Sequence, residues 1–267
     1  MRTITHTSPG PVDFSLDVDV ADVVVHVGEY EVAVVVLEPV DPADEDTARL
    51  IEQTTHTSNG RVFTVRVPRP AGGHGGTTVV QRGPGHVSVV GQVVTGSVVG
   101  LVLGGDAHGS TIVNGQVISG SGTTFVGSRG MRITVHLPVG SSLSLAGQSP
   151  DLTTYGPLRR VDAKTVSGRL DVAEAAIAQL ASMSGGVRVR ACPDVHAETM
   201  SGSVVVQELA GRAIVSTMSG DVRIHAVADS TVSARTMSGD IDLTAPAGVE
   251  IGTETRTMSG RVRNRRR

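Results

Sequence analysis

The chain has 267 residues, with 33 Gly, no Trp, two Tyr and three Phe, and a formal net charge of −3. That length allows one large or two modest domains with a sizeable core, and the mild acidity excludes a general attraction to nucleic acid. The single cysteine, Cys192, excludes an internal disulfide, and no stretch reaches the length needed to span a bilayer.

Residues 1–70 read as an N-terminal β module carrying one short helix. Val12, Phe14, Leu16, Val18 and Val20 alternate with Asp13, Ser15, Asp17 and Asp19, the pattern of a half-buried strand. Val23 to Val27 and Val32 to Leu37 follow as strands, with Gly28-Glu29 between them as a hairpin signal. Asp41 then caps a predicted helix with Pro42 in its first turn, and the helix runs to about Gln53. Asn59-Gly60 turns the chain into a strand over Val62 to Val67. The first residues, Met1 to Ser8, lack the apolar core of a signal peptide, so the expectation is a cytoplasmic chain.

Residues 71–130 form a Gly/Val-rich stretch with almost no charge and read as an insertion. Val79-Val80, Val89-Val90, Val93-Val94 and Val98-Val99 favour partial order there. Neither Gly72-Gly73-His74-Gly75-Gly76 nor Gly100 to Gly105 is read as a site. The first is a loop composition, and the second lacks the Lys-Ser/Thr of a phosphate loop. A strand over Met131 to Leu137 restores the alternating pattern.

Residues 131–267 are governed by a repeat. Thr165-Val166-Ser167-Gly168 and Ser182-Met183-Ser184-Gly185 are followed by Thr-Met-Ser-Gly at 199–202, 217–220, 236–239 and 257–260. Successive glycines of the motif lie 17, 17, 18, 19 and 21 residues apart. Each copy is followed by apolar residues at alternate positions, such as Val187 and Val189 or Val204 and Val206, and preceded by a second alternating segment. Two short strands with one apolar face cannot bury that face alone; stacked copies can. The predicted fold is therefore all-β, a parallel β-helix-like solenoid of about six C-terminal rungs. Its Ser-Gly steps form the corners, where glycine takes positive φ. The last copy has Val262 and then Asn264, as expected of a cap.

The periodic Ser-Gly-x-Val-x-Val pattern resembles the bacterial adhesin-type family also called toastrack, a β-strand-repeat domain with no assigned function. Thr7-Ser8-Pro9-Gly10-Pro11-Val12 and Ile133 to Leu143 resemble that family's entry segments. The resemblance spans residues 1–69 and 131–267. It implies a surface or signalling scaffold near envelope-stress systems, and it implies no catalytic residue.

The candidate chemistry is sparse. Asp221, Asp240 and Asp242 share a predicted face, where carboxylates could bind Ca²⁺ or do acid–base work. The other copies carry Arg169, Gly186, Ser203 and Arg261 at the first of these positions, so these aspartates are read as turn residues on a solvated face. The nine histidines show no metal-ligand spacing, and Cys192 is read as a partly buried thiol.

Met183, Met200, Met218, Met237 and Met258 fall at one motif position, with Val166 as the sixth. Strict alternation would turn them outward as a partner-binding stripe. A bend at the corner would turn them into the core, and that is the expectation, since an exposed stripe is a solubility liability. The Arg-rich end, Arg261 to Arg267, is read as a frayed, solvated segment open to weak anionic contact.

The function these features imply is a non-enzymatic scaffold or protein-binding module without a cofactor, meeting a protein partner or a second copy. The alternatives are a carbohydrate-active β-helix enzyme and a self-assembling filament protein.

Overall fold

The computed structural model describes residues 1–69 and 130–266, together with four short strands between them. In chain order the elements are β1 (Arg2–Thr5), β2 (Asp13–Asp17), β3 (Asp22–Gly28), β4 (Val34–Pro39), α1 (Glu45–Glu52), β5 (Thr55–Asn59) and β6 (Val62–Arg66). Then come β7 (Arg82–Gly83), β8 (His86–Val87), β9 (Ser110–Val113), β10 (Gln116–Ser119), β11 (Met131–Pro138), β12 (Ser142–Gly147), β13 (Asp151–Tyr155) and β14 (Pro157–Thr165). The last are β15 (Leu170–Ser182), β16 (Val187–Thr199), β17 (Val204–Thr217), β18 (Val222–Ala226), β19 (Ser230–Ser238), β20 (Ile241–Ala245), β21 (Ile251–Ser259) and β22 (Val262–Arg266).

The chain divides into two units, Met1–Pro68 with Arg129–Arg267, and Arg69–Ser128. In the second unit β7 pairs with β8 and β9 with β10, both antiparallel. The expected valine pairs and glycine loops of residues 71–130 lie outside the described residues.

The first unit is a parallel β-solenoid of about seven turns. Alternating residues send one set of side chains inward and the other outward, and each turn contributes one strand to each of two facing sheets. The first sheet runs β1, β4, β11, β3, β13, the leading parts of β15, β16 and β17, then β18, β20 and β22. The second runs β5, β6, β2, β12, β14, the trailing parts of β15, β16 and β17, then β19 and β21. Register is continuous from rung to rung: Leu170, Val187, Val204, Val222 and Ile241 form one buried column, and Val161, Ala178, Val195, Ala213 and Val232 another. The narrow interior is filled by Val, Ala, Leu and Ile, which accounts for the scarcity of aromatic residues.

The pairing explains the drift of the repeat. From β16 to β17 the offset is 17 residues at Val187/Val204 but 18 at Val195/Ala213, across an irregularity between Cys192 and Asp194. Between the rungs that follow it rises from 18 at Val204/Val222 to 19 at Thr217/Thr236, then from 19 at Val222/Ile241 to 21 at Thr236/Thr257. Every added residue enters at the corner opposite the Ser-Gly motif.

Four expectations need correction. The N-terminal residues are not a separate module: β2 pairs with both β6 and β12, and β3 with both β11 and β13, so they are turns of the same solenoid. Gly28-Glu29 does not close a hairpin, because β11 lies between β3 and β4, parallel to one and antiparallel to the other. The helix cap is Asp44, whose Oδ1 accepts the Thr47 N–H at 3.0 Å, while Asp41 caps the preceding turn through the Ala43 N–H at 2.9 Å. Residues 262–266 are not frayed but form β22, and the Arg261 N–H donates to Asp240 Oδ1 at 2.9 Å.

The two ends differ. At the N-terminal end, β1 and β5 run antiparallel to their neighbours, and Arg2 Nη1 donates to the carbonyls of Ile51, Glu52 and Thr54 at the close of α1. At the C-terminal end the inward column changes chemistry: Val232 and Ala234 are followed by Thr253 and Thr255, and Leu243 by Asn264.

Candidate functional site

Each motif copy is the corner at which the chain leaves the second sheet for the first. Its first residue points inward: Thr165, Ser182, Thr199, Thr217 and Thr236 are all buried. Where the hydroxyl turns toward the corner it accepts the glycine N–H, at 3.0 Å for Thr165 and Gly168, 2.8 Å for Ser182 and Gly185, and 3.0 Å for Thr199 and Gly202. That bond satisfies a buried donor which the sheet ladder cannot reach.

The glycine is required for a different reason than expected. None of the motif glycines has positive φ. Instead each packs against the backbone of the rung before it. A Cβ on Gly185 would overlap the Gly168 carbonyl oxygen, one on Gly202 that of Gly185, and one on Gly220 that of Gly202. The column has no room for a side chain.

The ladder continues through the corner: Ser184 N–H donates to the Val166 carbonyl at 2.9 Å, Ser201 to Met183 at 2.8 Å and Ser219 to Met200 at 2.8 Å. With the threonine inward, alternation forces the next residue out. The methionines therefore do not fill the core. Met183, Met200, Met218 and Met237 are 44–50% exposed and Met258 77%, and Val166 continues the row. The expectation of a buried ladder is corrected. The solubility objection is eased as well, because each inner methionine is at least half covered and only the last lies largely bare.

On the second sheet the outward row beside this stripe is Lys164, Ala181, Glu198, Ser216, Arg235 and Arg256. The edge is thus an apolar line with a mixed polar margin, the composition of a binding surface.

Asp221 and Asp240 stand in successive rungs, and their carboxylates are occupied. Asp221 Oδ1 accepts the Asp240 N–H at 3.1 Å, and its Oδ2 accepts from Arg223 at 3.0 Å. Asp240 Oδ2 lies 3.8 Å from Arg263. Asp151 does the same for the Arg169 N–H at 2.8 Å, so aspartate here ties one rung to the next. Asp242 sits between Arg223 and Arg263 in its column, with Oδ1 buried and unbonded. Among the described residues no three His, Cys, Asp or Glu side chains are grouped to hold a metal.

Cys192 is buried at the opposite corner. Its Sγ donates to the Asp194 carbonyl at 3.1 Å, and burial raises the thiol pKa. Past Pro193 an open groove of about 700 Å³ is lined by Asp194, Arg212, Asp229 and Glu250, and Asp229 Oδ1 is engaged by the Glu250 N–H at 2.9 Å.

The Toastrack DUF4097 family model matches residues 101–266, more than half of the chain, beginning within the stretch read as an insertion. The chain belongs to the Toastrack DUF4097 family. Solved structures to which the chain shows similarity include a candidate adhesin from Bacteroides fragilis, at 11% identity over 99% of this chain and 97% of that one, with a TM-score of 0.49. A candidate adhesin from Parabacteroides distasonis shows 10% identity over 99% and 97%, with a TM-score of 0.42. One from Parabacteroides merdae shows 9% identity over 100% and 95%, with a TM-score of 0.39. No curated protein matches the chain. Membership of the Toastrack family supports a non-enzymatic scaffold or binding module. Among the described residues no helix is long and apolar enough to cross a membrane.

Proposed function

We propose that this Toastrack chain is a scaffold whose methionine edge docks a protein partner. The observation that carries the reading is the register of Met183, Met200, Met218, Met237 and Met258, held outward on a rigid corner at 44–77% exposure. Thioether side chains are unbranched and polarizable and adapt to varied apolar partners. The edge runs from rung to rung in continuous register, with rungs about 4.8 Å apart, so it suits an elongated partner segment such as an amphipathic helix. A link to bacterial envelope or stress signalling is the finer part of the proposal, and the toastrack resemblance supports it.

Photo-crosslinking tests the docking edge. Five of the seven methionines lie in the motif, so photo-methionine incorporated throughout the chain concentrates the label there. A discrete adduct mapped to the motif peptides supports the reading. Adducts that persist when the motif methionines are replaced by serine would place the contact elsewhere.

A further inference from the structure

The two tyrosines of this aromatic-poor chain lie in one place. Phe14 and Phe63 are fully buried, whereas Tyr155 is 52% and Tyr30 41% exposed. Tyr155, His26 and His136 occupy one outward column across β13, β3 and β11. Tyr155 and His26 stack with centroids 5.1 Å apart and planes 10° apart, and His26 and His136 with 5.5 Å and 17°. Tyr30, from the loop after β3, meets His136 edge-on at 5.1 Å, with its hydroxyl 3.2 Å from His136 Nδ1. Near-parallel rings at these spacings are offset stacks, and an offset row leaves part of each ring open.

The surroundings define what such a row would hold. Val24, Val34, Val36, Thr134 and Thr153 are the outward residues beside it, all half-buried and uncharged. Among the described residues the charges of this face lie at its margins: Asp22, Arg132, Glu38 and Asp151 stand at the far end of the strands, where Asp22 pairs with Arg132 at 3.4 Å, and Asp171, beside Thr153, lies 3.7 Å from Arg188. Glu29 and Glu31 flank Tyr30 in its loop. A surface with open rings, hydroxyls and imidazoles, acceptor carboxylates and, among the described residues beside the row, no arginine or lysine disfavours phosphate and nucleic acid. Its chemistry fits a ligand with apolar C–H faces and many hydroxyls. We infer that the Tyr155–His26–His136–Tyr30 row binds a neutral glycan, with Tyr155 as the principal stacking ring. This site is independent of the methionine edge.

The chain carries its own reporter. With no Trp and both tyrosines in the row, tyrosine emission senses this site alone. The whole chain is titrated with cellohexaose, laminarihexaose and chitohexaose while emission is followed. At least one should give a saturable change, and Tyr155→Ala should weaken it roughly tenfold, the loss expected for one stacking ring. Tyr155→Phe should retain binding. No response to any of the three at millimolar concentration overturns the inference, as does a response indifferent to Tyr155→Ala. Sedimentation of the same samples covers the remaining occupant: a dimer lost on Tyr155→Ala would make the row a contact between copies and overturn it as well.

Discussion

The carbonyl oxygen of Gly185 occupies the space into which a Cβ on Gly202 would project. Backbone stacked on backbone cannot yield as a side-chain tip can. Gly202→Ala should therefore destabilise the chain by about 3 kcal/mol, the upper range for overpacking. Gly186 is the control, because a Cβ there meets nothing nearer than the Ser203 carbonyl at 3.8 Å. Gly186→Ala should stay within about 0.5 kcal/mol. Urea denaturation of the two variants checks the contrast, and equal effects would contradict it.

The hydroxyl of Thr199 is the acceptor for the Gly202 N–H at 3.0 Å. Thr199→Val keeps the shape and orphans a buried donor, so it should cost about 1–3 kcal/mol. Thr199→Ser keeps the acceptor, as Ser182 does for Gly185 in the rung before. Hydrogen exchange at the Gly202 amide should accelerate in the valine variant and not in the serine one.

Thioether oxidation follows exposure. Mild peroxide should convert Met183, Met200, Met218, Met237 and Met258 to sulfoxides while sparing Met131, which is 3% exposed in the core. Within the row Met258, at its open end, should react first, alongside Met1, which is 83% exposed. Peptide mass spectrometry reads the order directly, and early oxidation of Met131 would mean that the strand parity is wrong.

Burial, and then the neighbouring His26, hold His136 below its ordinary pKa of 6.5. The unfolded chain therefore binds the proton more readily than the folded one. The contribution of His136 is complete above the ordinary value, falls as pH drops through 6.5 toward the lowered folded value, and then levels off. The imidazole is partly solvated, so the effect is small. Comparing urea midpoints of the native chain and His136→Gln from about pH 8 to about pH 5 isolates it. A native chain that gains stability relative to the variant on acidification would contradict the sign.

Much of the solenoid was legible because its interactions repeat locally. One period sets Thr inward, Ser-Gly at a corner and two apolar residues beyond it, and stacking follows from the need to bury them. The direction of Met183 and its equivalents was legible only as a choice, because it depends on whether alternation survives the corner. The Gly168–Gly185–Gly202 contact settles that, and no single copy contains it. The place of β11 between β3 and β4 was hidden for a related reason. Val135 pairs with Val25 and Val35 from far along the chain, while Gly28-Glu29 offers a plausible local turn. The row of Tyr155, His26 and His136 has no local motif at all; the only trace is that the chain has so few rings to place.

The central claim, that the motif methionines form an outward docking edge rather than part of the core, is tested most directly by replacing Met183, Met200, Met218 and Met237 with serine together. Stability and partner capture are then measured on the same protein. The account predicts an unfolding free energy within about 2 kcal/mol of the native chain, at about 0.5 kcal/mol per surface site, and loss of affinity for the partner identified by crosslinking, measured on unlabelled protein. A loss of about 8 kcal/mol or more, the scale of four emptied core sites, or unchanged affinity for that partner, would contradict it.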